Sequence, residues 1–511
     1  MVLSRRIGSI AEFCRKNRNV VFISVLFLVS FIIRFCYLPS FPIYGDEAAY
    51  AEIIDEFIRS PTIIPHFLGH SISWKPPLGF VTYSAVITGL YAINPNIPVE
   101  IAYRIPPLIF GVLSTLSLYF LVRKLYDEET AFLSSLIFAT TAISVVLSET
   151  ILLDQLMLFL LICGIMLFID GRKDPKYLYY AGLVGGLLFL TKSIMAFMLP
   201  ALAIAYYVGD KEIRNNPAMR KAFLVSLLAV PLAMVFYAIV FFALSPSGRG
   251  GDITVSYVYD FLRAYVYNTS LFSHTAEFIK LTAVWSILFF SGLLTMKISN
   301  REDRFVFIWL ILMLVLLGAG QFYPWYYLPI LPPFAMVCAK SLMQIKRKKF
   351  FVPVVMILLI FSLPYFANKA FMDTFLSPMQ VNSERAQVGM FLREKNDVLS
   401  ITQRGVPEIV FYKFHGEKQP DYPGFKMVVL NPFEICSYTA YEYFADIVFG
   451  GTVQNLTSSE DVKSIIANNS RNEYVVMDAG VYNVYSSSPW QDYSLVFNSS
   501  EGSYVVLHKV T

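Results

Sequence analysis

The sequence predicts a polytopic α-helical membrane protein that ends in a small soluble α/β domain. Of its 511 residues, 56% are hydrophobic and only 15% are charged, which departs from the composition of ordinary globular proteins. Long apolar runs fill the chain up to residue 367, and from residue 368 they shrink to strand length. We therefore expect a transmembrane domain over residues 1–367 and a soluble domain over residues 368–511.

Eleven apolar runs predict transmembrane helices, because most of them approach the roughly 20 residues that a helix needs to cross a bilayer. The runs lie at 20–38, 105–122, 131–148, 152–169, 177–191, 193–208, 221–244, 279–297, 304–320, 326–343 and 350–367. Lysines and arginines occur before the first run and in the connections at 123–129, 171–176, 209–221, 297–304 and 340–349. Basic segments favour the cytoplasm, so we expect a multi-pass plasma-membrane protein with an extracytoplasmic C-terminal domain.

A further apolar run, from Pro77 to Ile93, would invert this topology if it crossed the membrane. Every basic connection after it would then face outward, against the positive-inside rule. We expect a juxtamembrane or re-entrant helix in the outer interface; the alternative is an ordinary span with an inverted topology. Sequons of the type Asn-x-Ser/Thr support the first arrangement, since all lie in segments placed outside: Asn268, Asn455, Asn468 and Asn498.

The C-terminal domain contains short apolar runs that predict strands at 398–402, 427–430, 473–477 and 504–510. Between them, segments 407–414 and 458–469 predict short helices, the second opening with a Ser/Asp start signal. Cys436 is the only cysteine in this polar part, so the domain has no internal disulfide. The cysteine spacing indicates no metal motif, and the small net charge of +4 gives no indication of a nucleic-acid partner.

Acidic residues beside apolar runs are the first candidates for chemistry. Asp46 and Glu47 open a helix-forming segment, and Tyr50 lies one turn later on the face of Asp46. Such a group at the membrane surface suits general-base catalysis on an incoming hydroxyl or amine; an N-cap and a dipole-favouring acid are the structural alternatives. Asp154, predicted on the same outer side at the edge of a span, is a candidate for function or for a helix cap.

Cationic residues near the same predicted face are candidates for binding the phosphate or pyrophosphate of a lipid. Lys75 precedes two prolines that hold its backbone extended, and Lys192 has no charged neighbour in its apolar run. Arg104 is a weaker candidate at the start of the 105–122 run. Snorkelling towards the interface is the alternative for the lysines, and Arg34 in the first run could equally be an interfacial anchor.

Aromatic residues gather in the segment 321–333, which we expect at the outer interface. Tyr326 and Tyr327 lie in it, and an aromatic belt at the membrane surface explains such residues. Stacking on a sugar is the functional interpretation. His66 and His70 flank the Lys75 segment, but without a spaced set of partners they predict no metal site.

Taken together, these residues resemble the motifs of lipid-linked glycosyltransferases of the GT-C class. More narrowly, the chain is similar to the family that holds protein O-mannosyltransferases and the aminoarabinose transferases that modify lipid A. The matching pieces occur in the family's order over roughly residues 20–370. They are DEAAYA at 46–51, KPPLG at 75–79, the turn at Asp154, GLLFLTKS at 186–193 and YYLPILPP at 326–333.

The resemblance implies a GT-C fold and roles for individual residues. Asp46 would be the catalytic base with Glu47 beside it, and Lys75 and Lys192 would hold the phosphate of a polyprenyl-phosphate sugar. Asp154 would take part in catalysis or help to shape the substrate cavity. The residues that would line that cavity are Tyr50, Tyr326 and Tyr327.

Departures from the family's patterns leave the acceptor open. Aminoarabinose transferases usually carry Arg where this chain has Ala49 and an acid where it has Trp74. Mannosyltransferases usually carry His-Pro-Pro where this chain has Lys75-Pro76-Pro77. The WWDxG signature of oligosaccharyltransferases is absent from the sequence. Lipid, protein and glycan acceptors all remain candidates, and the sequons favour a protein or a glycan.

A sugar on a polyprenyl phosphate is already activated, so the expected reaction needs no nucleotide and no Gly-rich loop. No cofactor is expected to be required, although a divalent cation is compatible with the reaction. Membrane lipids are the other expected partners. The rival function is a transporter or flippase for a lipid-linked or polar substrate. Transporters favour ionisable residues near the midplane and often show paired repeats, whereas the charged candidates here cluster at one predicted face and we find no repeat.

Overall fold

The computed structural model describes two compact units, each formed by separate stretches of chain. The described residues are 16–36, 38, 43, 46–67, 70–71, 75–207, 215–244, 271–318, 324–346, 351–362, 379–395, 397–402, 407–415, 425–429, 473–479, 482, 493–500 and 502–510. The helical unit takes the described parts of Met1–Pro39, Trp74–Thr82 and Arg104–Thr374. The mixed unit takes those of Ser40–Ser73, Tyr83–Tyr103 and Phe375–Thr511.

Helices dominate the first three quarters of the described chain. They are α1 (Arg18–Phe35), α2 (Asp46–Arg59), α3 (Leu78–Ile93), α4 (Val99–Leu125), α5 (Glu128–Thr140), α6 (Ala142–Ser148), α7 (Asp154–Asp170), α8 (Lys176–Thr191), α9 (Met198–Tyr207), α10 (Pro217–Leu244), α11 (Leu271–Leu293), α12 (Arg301–Gly318), α13 (Leu331–Ile345) and α14 (Phe351–Ser362). Short 3₁₀ turns precede α9 at Ile194–Phe197 and α13 at Pro324–Ile330.

Several helices are long and apolar enough to cross a membrane. Within the described residues there are four: Arg18–Phe35, Val99–Leu125, Pro217–Phe241 and Trp325–Ile345. A fifth span results if α5 and α6, which meet at an angle of 63°, count as one broken span. The run predicted at 131–148 is therefore bent in the middle. The protein is a multi-pass membrane protein by these helices, while the total of eleven spans and their orientation stay predictions.

Glycines allow two of the apolar helices to pack closely. A Cβ atom at Gly182 of α8 would lie 2.9 Å from the Ser226 Cα of α10, and one at Gly185 would lie 3.2 Å from Val230. Small residues at such contacts let helix backbones approach where lipid provides no hydrophobic drive for association. On α10, Leu224, Leu228, Leu232, Phe236 and Ile239 are exposed, and their spacing forms the apolar stripe that a lipid-facing surface requires.

Arg34 of α1 is fully buried, which does not fit the alternative of an anchor in the membrane interface. Its guanidinium donates five hydrogen bonds to neutral acceptors: Ser148 Oγ, Ser144 Oγ, Ser30 Oγ, and the carbonyls of Ser30 and Ala139. The Ala139 carbonyl lies in the last turn of α5, where carbonyls lack intrahelical partners. Arg34 therefore stabilises the broken pair α5–α6 by bonding both of its helices.

The mixed unit contains a sheet of five strands: β3 (Val398–Thr402), β4 (Phe425–Val429), β5 (Tyr474–Asp478), β6 (Tyr493–Asn498) and β7 (Tyr504–Lys509). The order is β4-β3-β5-β7-β6, with β4, β3 and β5 parallel and β7 antiparallel to both β5 and β6. Helices α15 (Met379–Phe391) and α16 (Pro407–Phe414), and a short hairpin of β1 (His66–Phe67) and β2 (His70–Ser71), complete the unit.

The predicted small α/β domain is confirmed in its main elements. Its four predicted strands correspond to β3, β4, β5 and β7, and the predicted helix at 407–414 is α16. The sequence analysis missed β6 and α15. The predicted helix at 458–469 and the sequons at Asn268, Asn455 and Asn468 lie outside the described residues. Asn498 is exposed at the end of β6, as a modified asparagine must be.

Candidate active site

A helical hairpin in the helical unit brings Asp154 and Lys192 together. Asp154 is the first residue of α7, and Lys192 directly follows the last residue of α8. The two helices are neighbours joined by a short connection at 171–175, so the start of α7 and the end of α8 meet at the same end of the hairpin. This topology pairs two residues that are 38 positions apart in sequence.

The two side chains form a buried ion pair. Lys192 Nζ lies 2.5 Å from Asp154 Oδ1, and the residues are only 7% and 1% exposed. The Tyr326 ring supplies a cation–π contact, with Lys192 Nζ 5.4 Å from its centroid. Lys192 is therefore not a snorkelling lysine that reaches into solvent.

The helix termini favour both charges. The N-terminal end of α7 carries a partial positive charge that stabilises the Asp154 carboxylate, and the C-terminal end of α8 a partial negative charge that stabilises the Lys192 ammonium. Removal of the two charges from water costs on the order of several kcal/mol per ion. The short contact between the charges and the helix dipoles offset that cost. The pair is neutral overall, so a phosphate bound here would bring a net negative charge that further cations would have to offset.

The Lys75 segment packs beside this pair. Tyr237 Oη donates a hydrogen bond of 3.4 Å to the Lys75 carbonyl, which ties the start of the KPPLG motif to α10. At the end of the motif, a Cβ on Gly79 would lie 2.7 Å from both methyl carbons of Leu153. Leu153 immediately precedes Asp154, so the glycine allows α3 to approach the turn that carries Asp154. Lys75 itself is half-buried.

Arg104 and Tyr327 are both buried in the helical unit. Arg104 is 2% exposed, and its Nη1 donates a hydrogen bond of 3.5 Å to the Leu38 carbonyl. Tyr327 is fully buried, with its ring centroid 5.2 Å from that of Phe278. Their contacts are typical of residues that hold helices together, and their proposed roles at a substrate stay predictions.

The two adjacent acids at the start of α2 differ in their exposure to solvent. Asp46 is the first residue of the helix and is exposed, whereas Glu47 is 3% exposed and Tyr50 is 6% exposed. Both acids lie in the first turn, where the helix dipole stabilises a carboxylate. Of the two, Asp46 is the one that an incoming acceptor can reach.

A buried polar cluster at the other end of α2 was missed by the sequence analysis. Arg59 donates hydrogen bonds to Asp55 Oδ2 at 2.5 Å and to Glu52 Oε1 at 2.9 Å. Tyr103 Oη donates to Asp55 Oδ1 at 2.7 Å, and His415 Nδ1 lies 3.5 Å from the same oxygen. The signal in the sequence was the set of acids inside a helix that is otherwise apolar.

The pKa of Asp55 is lowered by this cluster. Burial alone would raise the pKa of this carboxyl, but interactions with His415, then the Arg59 charge and the Tyr103 hydrogen bond, outweigh desolvation. Asp55 therefore stays ionised at neutral pH and holds its neighbours as an acceptor.

Each unit thus carries one group of the predicted residues. The helical unit brings together Asp154, Lys192 and Tyr326, with the Lys75 segment against the Asp154 turn. The mixed unit carries Asp46, Glu47 and Tyr50 on α2. Among the described residues, no group of three or more His, Cys, Asp or Glu side chains is arranged to hold a metal ion.

Comparison with known proteins gives a consistent resemblance. A family model described as dolichyl-phosphate-mannose-protein mannosyltransferase matches residues 75–239. An undecaprenyl phosphate-alpha-4-amino-4-deoxy-L-arabinose arabinosyl transferase of Pseudomonas aeruginosa is 26% identical over 318 residues, which cover 58% of this chain and 55% of that protein. The Bacillus subtilis protein named Putative mannosyltransferase YkcB is 30% identical over 167 residues, which cover 31% of this chain and 22% of that protein. The matches thus span about half or less of these relatives' lengths.

A solved structure extends the likeness to the whole fold. ArnT from Cupriavidus metallidurans, in a crystal structure bound to undecaprenyl phosphate, matches with a TM-score of 0.68 and 15% identity. The match covers 96% of this chain and 97% of that chain. The predicted GT-C fold is therefore confirmed, and so is the resemblance to the aminoarabinose transferases and protein mannosyltransferases.

We expect the contributions of Asp154 and Lys192 to stability to be coupled, so that loss of one partner costs more than loss of both. Lys192→Met or Asp154→Leu alone should lower the free energy of unfolding by about 3–5 kcal/mol, because each leaves a buried charge unpaired. The double variant should recover most of that loss, since a packed apolar pair replaces the ion pair. Thermal unfolding of the full chain in detergent measures this.

The matched control is Lys176→Met, which removes the exposed ion pair with Asp174 and should leave the melting temperature unchanged. An equal loss in the double and single variants would contradict the interpretation of this contact as a coupled pair.

Proposed function

We propose that the chain is a membrane glycosyltransferase that moves a sugar from a polyprenyl-phosphate donor to an acceptor hydroxyl or amine. The observation that carries the proposal is the buried Lys192–Asp154 pair beneath Tyr326 in the helical unit, with the KPPLG segment against its turn. A lysine held in this way among apolar helices suits a phosphate on a long lipid. The resemblance to the arabinosyl transferase of Pseudomonas aeruginosa supports the same donor class.

Lys75 and Lys192 bind the donor phosphate in this proposal. An ammonium has three N–H donors, so Lys192 can bond a phosphate oxygen while it keeps its contact with Asp154. Asp154 then acts by fixing the position of Lys192 Nζ. Arg104 adds positive charge from α4, and Tyr326 offers an aromatic face on which a sugar stacks. Tyr50 and Tyr327 are the other residues that contact the substrate in this proposal.

Asp46 is the general base. Its carboxylate removes the proton from the acceptor as the acceptor oxygen or nitrogen attacks the anomeric carbon of the sugar. The bond from that carbon to the phosphate oxygen breaks, and polyprenyl phosphate leaves with the bonding electron pair. The two lysines stabilise its negative charge. A single displacement of this kind inverts the anomeric centre, and Glu47 orients the base from its buried position beside it.

The reaction takes place at the extracytoplasmic face of the plasma membrane, where the lipid donor and a surface acceptor meet. The donor is already activated, so the step requires no nucleotide. We propose a protein or a glycan as the acceptor, because the sequons indicate a surface that is itself glycosylated. The departures at Ala49 and Trp74 from the aminoarabinose transferase pattern support an acceptor other than lipid A.

We expect Asp46→Asn to lower kcat by about 10²–10⁴-fold, the usual contribution of a general base. The amide keeps the shape of the side chain and cannot accept the proton. Transfer from undecaprenyl-phosphate mannose and undecaprenyl-phosphate aminoarabinose to membranes of a deletion strain measures it. Asp174→Asn, at an exposed acid on the connection before α8, is the control and should transfer normally. Near-normal transfer by a folded Asp46→Asn variant would remove Asp46 from this role.

We expect Lys75→Ala to weaken donor binding by roughly 10- to 150-fold, equivalent to about 1.5–3 kcal/mol for a hydrogen bond to a charged group. The lost ammonium no longer contacts the phosphate. Titration of the full chain with undecaprenyl phosphate measures the affinity, and Lys176→Ala, at an exposed lysine, should bind as the wild type does. Unchanged affinity of the Lys75→Ala variant would mean that this lysine only anchors the segment at the interface.

We expect deletion of the gene to remove a sugar from surface proteins or glycans and to leave the lipids unaltered. The reason is that the residues departing from the lipid A-modifying pattern, Ala49 and Trp74, are close in sequence to the proposed base Asp46 and the proposed phosphate ligand Lys75. Mass spectrometry of surface glycoproteins and of extracted lipids from the same strain measures both classes. Loss of a sugar from the lipids alone would overturn the preference for a protein or glycan acceptor.

A further inference from the structure

The helix that carries Asp46 is bonded to the C-terminal domain inside the mixed unit. Tyr412 of α16 accepts a hydrogen bond of 2.9 Å from the backbone N–H of Ile43, three residues before Asp46. The same hydroxyl donates a hydrogen bond of 3.0 Å to Glu100 Oε1 at the start of α4. We propose that Tyr412 is a positioning residue for Asp46, an inference that rests on the proposed function of Asp46 as the base.

Burial gives these two hydrogen bonds their effect. Ile43 is fully buried and Tyr412 is 3% exposed, so water cannot replace the phenol as the partner of the Ile43 N–H. Loss of the partner would leave a buried donor unsatisfied, which is costlier than loss of a solvated hydrogen bond. The backbone at Ile43 is therefore held by a side chain that lies 369 positions later in the sequence.

The same segment of the C-terminal domain holds the far end of α2. The Phe414 carbonyl accepts a hydrogen bond of 3.3 Å from Arg59 Nη1, and the His415 ring lies against Asp55. Residues 412–415 thus contact α2 at its approach and in its last turns. α2 is thus held in its last turns, and the chain that leads to it is held at Ile43, three residues before Asp46, the first residue of the helix.

Positioning has a kinetic consequence that general stabilisation lacks. Misplacement of a catalytic group by about 1 Å costs up to about 100-fold in rate, while the donor phosphate is bound by other residues in the proposed mechanism. Tyr412→Phe, which removes only the hydroxyl, should therefore lower kcat by about ten- to 100-fold and leave the donor KM unchanged.

The experiment compares Tyr412→Phe with Tyr504→Phe in the full chain in nanodiscs. Tyr504 is a matched control, because it is buried in the same unit and its hydroxyl accepts a hydrogen bond of 2.6 Å from Arg385 Nε of α15. Transfer from undecaprenyl-phosphate mannose and undecaprenyl-phosphate aminoarabinose gives kcat and donor KM. Hydrogen exchange of peptides covering 43–50 gives a readout that is independent of activity.

The proposal expects lower kcat, unchanged donor KM and exchange about three- to tenfold faster at 43–50 in Tyr412→Phe, with none of these in Tyr504→Phe. Normal kcat in Tyr412→Phe, or an equal loss in Tyr504→Phe, overturns it. If the wild-type chain transfers no sugar, the proposed function fails and the role of Tyr412 in positioning a base fails with it. Unchanged exchange at 43–50 in Tyr412→Phe, in a wild-type chain that does transfer sugar, overturns the positioning role alone.

Discussion

The cost of burying a charge among apolar helices determines how the helical unit is organised. Lys192 has lost nearly all contact with solvent. Without Asp154, burial of its ammonium would destabilise the fold by on the order of several kcal/mol. The ion pair therefore stabilises the end of the hairpin where α7 begins and α8 ends, and Gly79 packs against the turn at this end. The ion pair uses one N–H group of the Lys192 ammonium, which has three. The other N–H groups lie near the Tyr326 ring and can donate hydrogen bonds to a lipid phosphate.

Arg34 meets the same constraint in a different way. No carboxylate bonds its guanidinium; hydroxyls and carbonyls of α1, α5 and α6 accept its N–H groups. Space for this arrangement comes from Gly111, since a Cβ there would lie 2.4 Å from Ser148 Oγ and 2.9 Å from Arg34 Nε. These contacts rigidify the broken pair α5–α6, and the Glu149 carboxylate interacts with the Arg34 charge without bonding it directly. Lys192 differs, because its carboxylate partner bonds it directly.

Local signals in the sequence located much of the fold and of the candidate site. The period of apolar residues and the adjacent acids predicted α2, and the short apolar runs predicted β3, β4, β5 and β7. The isolated lysine drew attention to Lys192, whose role at a substrate stays a prediction. What sequence reasoning could not supply were partners far apart in the chain. The Arg34 bond to Ala139 spans 105 positions and the Ile43 bond to Tyr412 spans 369, and no local pattern records either. The break within the 131–148 run was missed for a related reason, because composition measures apolarity and not direction.

Composition divides the chain at residue 368, whereas packing places the segment Ser40–Ser73 in one unit with Phe375–Thr511. The change of composition at residue 368 indicates which surroundings each part of the chain is suited to, since apolar helices suit lipid and short strands with polar loops suit water. Packing reports which elements share a core, and α2 shares its core with α16 of the C-terminal domain. A helix with Glu52, Asp55 and Glu56 buried along it needs polar partners that lipid cannot provide. Arg59, Tyr103 and the 412–415 segment supply them, so the acids of α2 explain why a segment near the N-terminus packs with the C-terminal domain.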